Sequence, residues 1–304
     1  MRSAVGSEQA DVKTLSYFRL LGLEQEPFST SPDPAFLYQT PQYRDTLANL
    51  IIEFRLKRGL SVVLGDIGIG KTTLGRKLIQ QLRERDGFVF HMVLDPTYPS
   101  EELFFSDLVR TMNIDVPAPT PTLVDYRDAL ERFLFRRGVQ ERQTIVLVID
   151  EAHKLNALSL EALRVLLNYE TNQAKLLQLV LLGQIELLPI LMGLPNLADR
   201  ISLKCTLNPL SVQETRELID FRLQEAGYHS RLPLFAPEAV ERIYEYTEGY
   251  PRRIAMLCHQ ALRHLAAHQG RAVDQALVEE LIQREIESGW SHSRRARKLQ
   301  PSNF

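Results

Sequence analysis

Two short stretches carry residues whose types and spacing suit phosphate chemistry. The first, GDIGIGKTT over residues 65–73, sets Gly65, Asp66, Ile67, Gly68, Ile69, Gly70, Lys71, Thr72 and Thr73 in the pattern G-x-x-x-x-G-K-[ST]. Glycines let a backbone curl until successive N–H groups face inward as an anion nest. A helix that starts where the loop ends adds its positive N-terminal end. Lys71 is then placed to reach β- and γ-phosphates, and Thr72 to offer its hydroxyl to Mg²⁺. The second stretch, TIVLVIDEAHKL over 144–155, is an apolar run ending in Asp150 and Glu151. An acid at the tip of a buried strand beside the loop holds Mg²⁺ through water, and a second acid next to it polarises the attacking water. An acid pair alone is commonplace in surface turns. Its place after a buried run, downstream of a phosphate loop, is what gives it the functional reading. His153 reads equally as a solvated, a helix-capping or a catalytic histidine.

A third candidate is Gln184, in LLGQIELL over 181–188. It follows an apolar run that wants to be a central strand, at the same end as Asp150 and Glu151. An uncharged amide there donates to a γ-phosphate or orients water without adding charge to a site that holds Mg²⁺. Its neighbour Ile185 carries no functional reading. Arginine suits the charge that develops on a transferred phosphoryl group, because its planar fork is always ionised. Two places draw notice: Arg200, just before the last strand, and Arg252 with Arg253, after EGYP at the start of a helix.

These residues need a frame. Apolar runs at 60–65, 88–94, 144–150, 176–183 and 200–207 read as strands. Helical periodicity covers 41–57, 71–85, 100–112, 123–137 and 159–170 between them. Continuous apolar strands separated by helices predict a parallel sheet covered on both faces. After Pro209 the pattern turns wholly helical, over 211–227, 237–249, 252–269 and 274–288. Pro237 suits a first helical turn, and Gly227 and Gly249 suit helix stops. The expected organisation is an irregular segment over 1–40, an α/β domain over 41–208, a small helical lid over 209–288, and a disordered basic tail over 289–304. Pro27, Pro32 and Pro34 exclude a long helix from the aromatic stretch 17–38, which should lay its aromatics on the domain.

Composition narrows the class. With 44% apolar and 24% charged residues the chain is globular, and a net charge of −2 argues against a surface coated for nucleic acid. Two distant cysteines, Cys205 and Cys258, exclude a disulfide framework and fit a reducing compartment. The N-terminus lacks the apolar core of a signal peptide, and no run reaches the roughly 18 apolar residues of a membrane span.

Together these residues resemble the AAA+ ATPases, and within them the ExeA-like secretion ATPases of the general secretion pathway A family. Transposition-regulator ATPases carry similar domains. The resemblance rests on PFSTSPDPAFLY, GDIGIGKTT, LVIDEAHKL, LLNYETNQAKLLQLVLLGQIEL, LADRISLKCTLNPLS and GYPRRIAMLCHQAL, and runs from about Tyr17 to Leu265. It implies a P-loop α/β domain with a helical lid, ATP and Mg²⁺ as ligands, and ATP hydrolysis completed by a neighbour's arginine. It places Lys71 and Thr72 on phosphate and Mg²⁺, Asp150 on Mg²⁺, Glu151 as base, and Gln184 at the sensor-1 position. Arg252 matches the arginine of the G-x-P-R sensor-2 motif, and Arg200 is the best finger candidate.

The family usually continues GQPEL where Ile185 stands here. Its secretion members often add a membrane span and a peptidoglycan-binding module that this sequence does not show. The expectation is therefore a cytoplasmic member, at most peripheral to the inner membrane. It would act as a nucleotide-dependent oligomeric switch for a secretion, pilus or polysaccharide assembly. The alternatives are a DNA-associated regulator of transposition, for which Arg263, His264 and the tail residues Arg294, Arg295, Arg297 and Lys298 speak, a small-molecule kinase, and a nucleotide-bound scaffold that scarcely hydrolyses.

Overall fold

The computed structural model describes residues 16–289 apart from 32, 84–86, 118 and 173. The expected basic tail therefore lies, beyond residue 289, outside the described residues, as does the lead before residue 16. The chain forms two compact units, one over Pro32–Asn208 and one that joins the chain up to Ser31 with the chain from Pro209 on.

A single turn, α1 (Tyr17–Leu20), comes first among the described residues and belongs to the second unit. The α/β unit then runs α2 (Pro41–Arg55), β1 (Leu60–Gly65), α3 (Lys71–Arg83), β2 (Phe88–Val93), α4 (Glu101–Thr111) and α5 (Leu123–Phe135). It continues with β3 (Thr144–Ile149), α6 (Ala157–Leu166), β4 (Leu177–Gly183), α7 (Leu187–Met192), α8 (Pro195–Ala198) and β5 (Ile201–Leu207). The strands form one parallel sheet in the order β2-β3-β4-β1-β5.

The three central strands are buried at every position, which is why their sequences read as unbroken apolar runs. β5 alternates half-buried and exposed residues, as an edge strand does. Register makes the strand ends level. Leu64 pairs with Gly183, and Ile149 with Leu181. The chain thus leaves β1, β4 and β3 side by side at their carboxyl ends, where open α/β sheets bind ligands.

Two stretches differ from the periodicity. The helix expected over 123–137 ends at Phe135 and passes into a π-helical turn, Arg136–Gln140. Gly138 lies in that turn, where an added Cβ would meet Leu176 at 3.0 Å. The short helices α7 and α8, broken by Gly193 and started by Pro195, were not foreseen.

The second unit adds α9 (Val212–Glu225), α10 (Pro237–Thr247), α11 (Pro251–Ala267) and α12 (Gln275–Glu287) to α1. A capping box between Ser211 and Glu214 starts α9, and Asp274 caps α12 through Leu277 N–H at 2.9 Å. The stretch before Pro41 is not one irregular segment. Its described part from residue 16 to Ser31 packs within the helical unit, and a 3₁₀ turn at Pro34–Phe36 belongs to the α/β unit. Tyr17 Oη lies 2.9 Å from His259 Nδ1, and Glu26 Oε1 lies 2.8 Å from the same nitrogen. Arg222 donates to Pro27 O and Ser29 O, and Phe28 is buried edge-on to Phe235. Aromatic burial and paired backbone carbonyls, rather than helical propensity, hold this segment. Among the described residues no helix is long and apolar enough to cross a membrane.

Candidate nucleotide site

The phosphate loop is shaped by what glycine permits. Gly68 and Gly70 have φ of +78° and +103°, a region that side chains rarely adopt. Gly65 ends β1 where an added Cβ would lie 2.9 Å from Ile69 and 3.1 Å from Leu207 O, so no side chain fits. Ile69 is fully buried and anchors the loop, while Asp66 and Ile67 form its exposed tip. α3 starts at Lys71, which directs its unpaired N–H groups into the loop.

Lys71 is buried. Its Nζ donates to Gly65 O at 2.8 Å and to Asp66 O at 2.9 Å. An ammonium has three donors, so one proton remains for a phosphate oxygen. Burial pulls the Lys71 ammonium below the ordinary lysine range, and Glu151, Asp150, Asp66 and Glu186 oppose that shift. Four carboxylates thus surround one cation at this end of the sheet.

Thr72 and Asp150 meet directly. Thr72 Oγ1 donates to Asp150 Oδ2 at 2.6 Å, and Asp150 Oδ1 accepts the Glu151 N–H at 2.9 Å. Asp150 is buried, and its own N–H is tied to Val93 O on the neighbouring strand at 2.8 Å. Glu151 has φ 50° and ψ 34°, a left-handed conformation in a residue with a side chain. Such geometry costs about 1–3 kcal/mol and gathers at functional sites. It turns the chain sharply off β3 and leaves the Glu151 side chain a third exposed beside buried Asp150. A hydroxyl next to a buried carboxylate is a hard-oxygen donor pair, which fits Mg²⁺. Among the described residues no cluster of three or more His, Cys, Asp or Glu could hold a metal. A cation here would draw its other ligands from phosphate and water.

Gln184 follows β4 and comes up against the acid pair through His153. Its backbone N–H donates to His153 Nδ1 at 3.4 Å, its side-chain amide nitrogen, Nε2, lies 2.9 Å from His153 Nε2, and that histidine nitrogen is 3.6 Å from Glu151 Oε2. The structure therefore brings the loop, Thr72, Asp150, Glu151 and Gln184 together. Arg200 is not among them. It precedes Ile201, which pairs with Leu60 at the start of β1, and six residues of strand put it about 20 Å from the loop. There its Nη1 donates to Arg164 O at 3.3 Å. Arg252 is exposed in the first turn of α11, on the helical unit. Its neighbour Arg253 is occupied, paired with Glu248 at 3.2 Å and lying 4.4 Å over the Tyr250 ring.

Two residues of α2 were not foreseen. Tyr43 is buried, and its hydroxyl donates to Ile69 O in the loop. An added Cβ at Gly70 would sit 2.6 Å from that hydroxyl, so phenol and glycine are fitted to each other. Gln42 donates to Thr206 O at 2.5 Å and accepts from Asn208 N–H at 3.1 Å, at the end of β5. Nothing in the sequence pattern links residue 43 to the loop. The contact spans 26 positions and depends on how α2 lies on the sheet.

Residues 55–191 match the family model described as AAA domain. Fold, loop and matched segment agree: residues 55–191 form an AAA domain on a P-loop parallel sheet. The chain is similar to general secretion pathway protein A of Aeromonas hydrophila, 35% identical over 249 residues that take in 81% of this chain and 44% of that protein. An uncharacterized HTH-type transcriptional regulator of Methanocaldococcus jannaschii is 34% identical over 92 residues, 29% of this chain and 22% of the relative. The chain thus spans less than half the length of the curated relatives it matches. The Aeropyrum pernix ORC2 protein, solved as ADPNP–ADP complexes, aligns over 86% of this chain and 71% of its own with a TM-score of 0.64 at 17% identity. Cdc6p from Pyrobaculum aerophilum aligns over 81% and 67% with 0.65 at 15%. The Holliday junction branch migration motor RuvB of Thermotoga maritima aligns over 90% and 78% with 0.57 at 18%. At these identities the likeness is one of fold.

Proposed function

We propose that this chain binds ATP with Mg²⁺ in the loop and hydrolyses it, and that the cycle drives a nucleotide-dependent oligomeric switch. The observation that carries the reading is the contact of Thr72 with Asp150, beside buried Lys71 and a strained Glu151. The Gly68–Gly70 nest and the free Lys71 proton take the phosphates, and Thr72 and Asp150 hold the Mg²⁺, which when bound neutralises charge on the phosphate oxygens. Glu151 accepts the proton of the attacking water as its oxygen bonds the γ-phosphorus and the bond to the β-phosphate breaks. Gln184 donates its N–H to that region without adding charge. Arg200 stands at the far end of its own sheet, so as a finger it serves a neighbouring copy's site.

The work done falls on an envelope assembly, secretion first, from the cytoplasmic face of the inner membrane. The name of the Aeromonas hydrophila relative supports this choice. The test is ATP turnover followed together with particle mass, with and without ATP, for the chain alone, with inner membranes and with duplex DNA. The expected result is a larger particle with ATP and faster turnover with membranes. A mass indifferent to ATP contradicts the switch. Stimulation by DNA that falls steeply with salt replaces the envelope reading with the DNA one.

A further inference from the structure

His153 touches two of the residues on which hydrolysis would depend, and its hydrogen bonds dictate which proton sits where. The Gln184 backbone N–H donates to Nδ1, so Nδ1 presents its lone pair. A neutral imidazole then carries its proton on Nε2. A second observation agrees: Nε2 faces the Glu151 carboxylate at 3.6 Å, which favours an N–H there. As placed, the Gln184 amide nitrogen, Nε2, lies 2.9 Å from that same His153 Nε2. An N–H cannot bond an NH₂ group end-on. With the proton on His153 Nε2 the contact closes only if the two amide ends are exchanged, oxygen toward the imidazole; the ends are alike in shape, so the partner decides which one stands there. The NH₂ is thereby left on the side away from His153.

We propose, resting on the reading of the loop as an ATPase site, that His153 is a positioning residue that fixes the orientation of the Gln184 amide, so that a donor rather than a carbonyl is offered to the phosphate. The fold leaves His153 little room to do otherwise. A Cβ at Gly183 would lie 2.6 Å from Leu187 and 3.5 Å from His153 N, so the turn that carries the histidine is pressed against the end of β4. The His153 side chain is 17% exposed, so the ring is held rather than solvated. Without the imidazole the amide is free to turn its carbonyl toward the phosphate, and the repulsion acts on turnover more than on binding.

The test uses His153→Ala, His153→Gln and Gln184→Ala, singly and as the pair His153→Ala with Gln184→Ala, each checked for an unchanged melting curve. His153→Ala should lower kcat on the order of tenfold with ATP affinity within twofold. His153→Gln, which keeps an N–H near the position of Nε2, should restore most of it. In the Gln184→Ala background the second substitution should add nothing. Full additivity, or an unchanged kcat in His153→Ala, overturns the proposal. A readout independent of hydrolysis is the ¹⁵N spectrum of histidine-labelled protein, with the His153 signals assigned by their loss in His153→Gln. Protonated Nε2 and unprotonated Nδ1 are expected, and the Nδ1–H tautomer overturns the proposal whether or not the chain turns over ATP.

Discussion

Replacing Tyr43 by Phe removes one oxygen and nothing else, and its consequence can be worked from the structure. The hydroxyl is buried, with 2% of the residue exposed, and it donates to Ile69 O. In Tyr43→Phe that carbonyl loses its donor at a place water does not reach. An orphaned buried acceptor costs about 1–3 kcal/mol. For a unit of this size that lowers the melting temperature by about 2–10 °C. Ile69 precedes Gly70, whose peptide forms part of the phosphate nest, so a shift there also weakens ATP binding. Burial pushes the Tyr43 phenol well above its ordinary 10.0. A raised acid pKa contributes stability that is whole below pH 10 and is lost as the pH rises beyond it. Tyr43→Phe should therefore melt earlier at pH 7, bind ATP more weakly, and lose less stability than the parent between pH 10 and 11. Thermal melts across pH and a nucleotide titration measure all three. A variant with parental melting and parental affinity refutes the clamp.

Two further outcomes follow from particular residues. Gly249 has φ +75°, an added Cβ would come within 2.1 Å of Leu210 O, and its own carbonyl accepts from Leu210 N–H at 2.9 Å. Gly249→Ala should destabilise the helical unit by about 2–4 kcal/mol, read as an earlier melt and faster proteolysis between α10 and α11. His91 bonds Thr111 O through Nδ1 at 3.1 Å, while its Nε2 is buried with no partner, and burial holds its pKa below 6.5. The neutral ring must gain a proton on unfolding, so its contribution is whole above pH 6.5 and falls as pH drops below it. Melts from pH 7 to 5 should show that fall in the parent and less of it in His91→Leu.

What could be read from sequence follows a physical division. The strands were legible because burial on both faces forces unbroken apolar runs, as in Thr144–Ile149. The loop, Thr72, Asp150 and Glu151 were legible because their chemistry is local: the loop and the first turn of α3 follow β1, and the acid pair follows β3. Gln184 was legible only through its place after β4. Contacts that close over distance were not. Tyr17 meets His259 across 242 positions, so the segment's partner was hidden. His153 stood as one of three equal readings because its partner lies 31 positions on. Short helices such as Leu187–Met192, set among prolines and glycine, gave too few turns for periodicity to register.

On the proposed reading Glu151 moves a proton while Thr72 and Asp150 would keep the metal. Glu151→Gln keeps size and polarity and removes only the base. Equilibrium ATP binding and single-turnover hydrolysis measured on that one variant test the claim most directly. ATP affinity should stay within about threefold of the parent, and the hydrolysis rate should fall about 100-fold or more. Hydrolysis at the parental rate contradicts it.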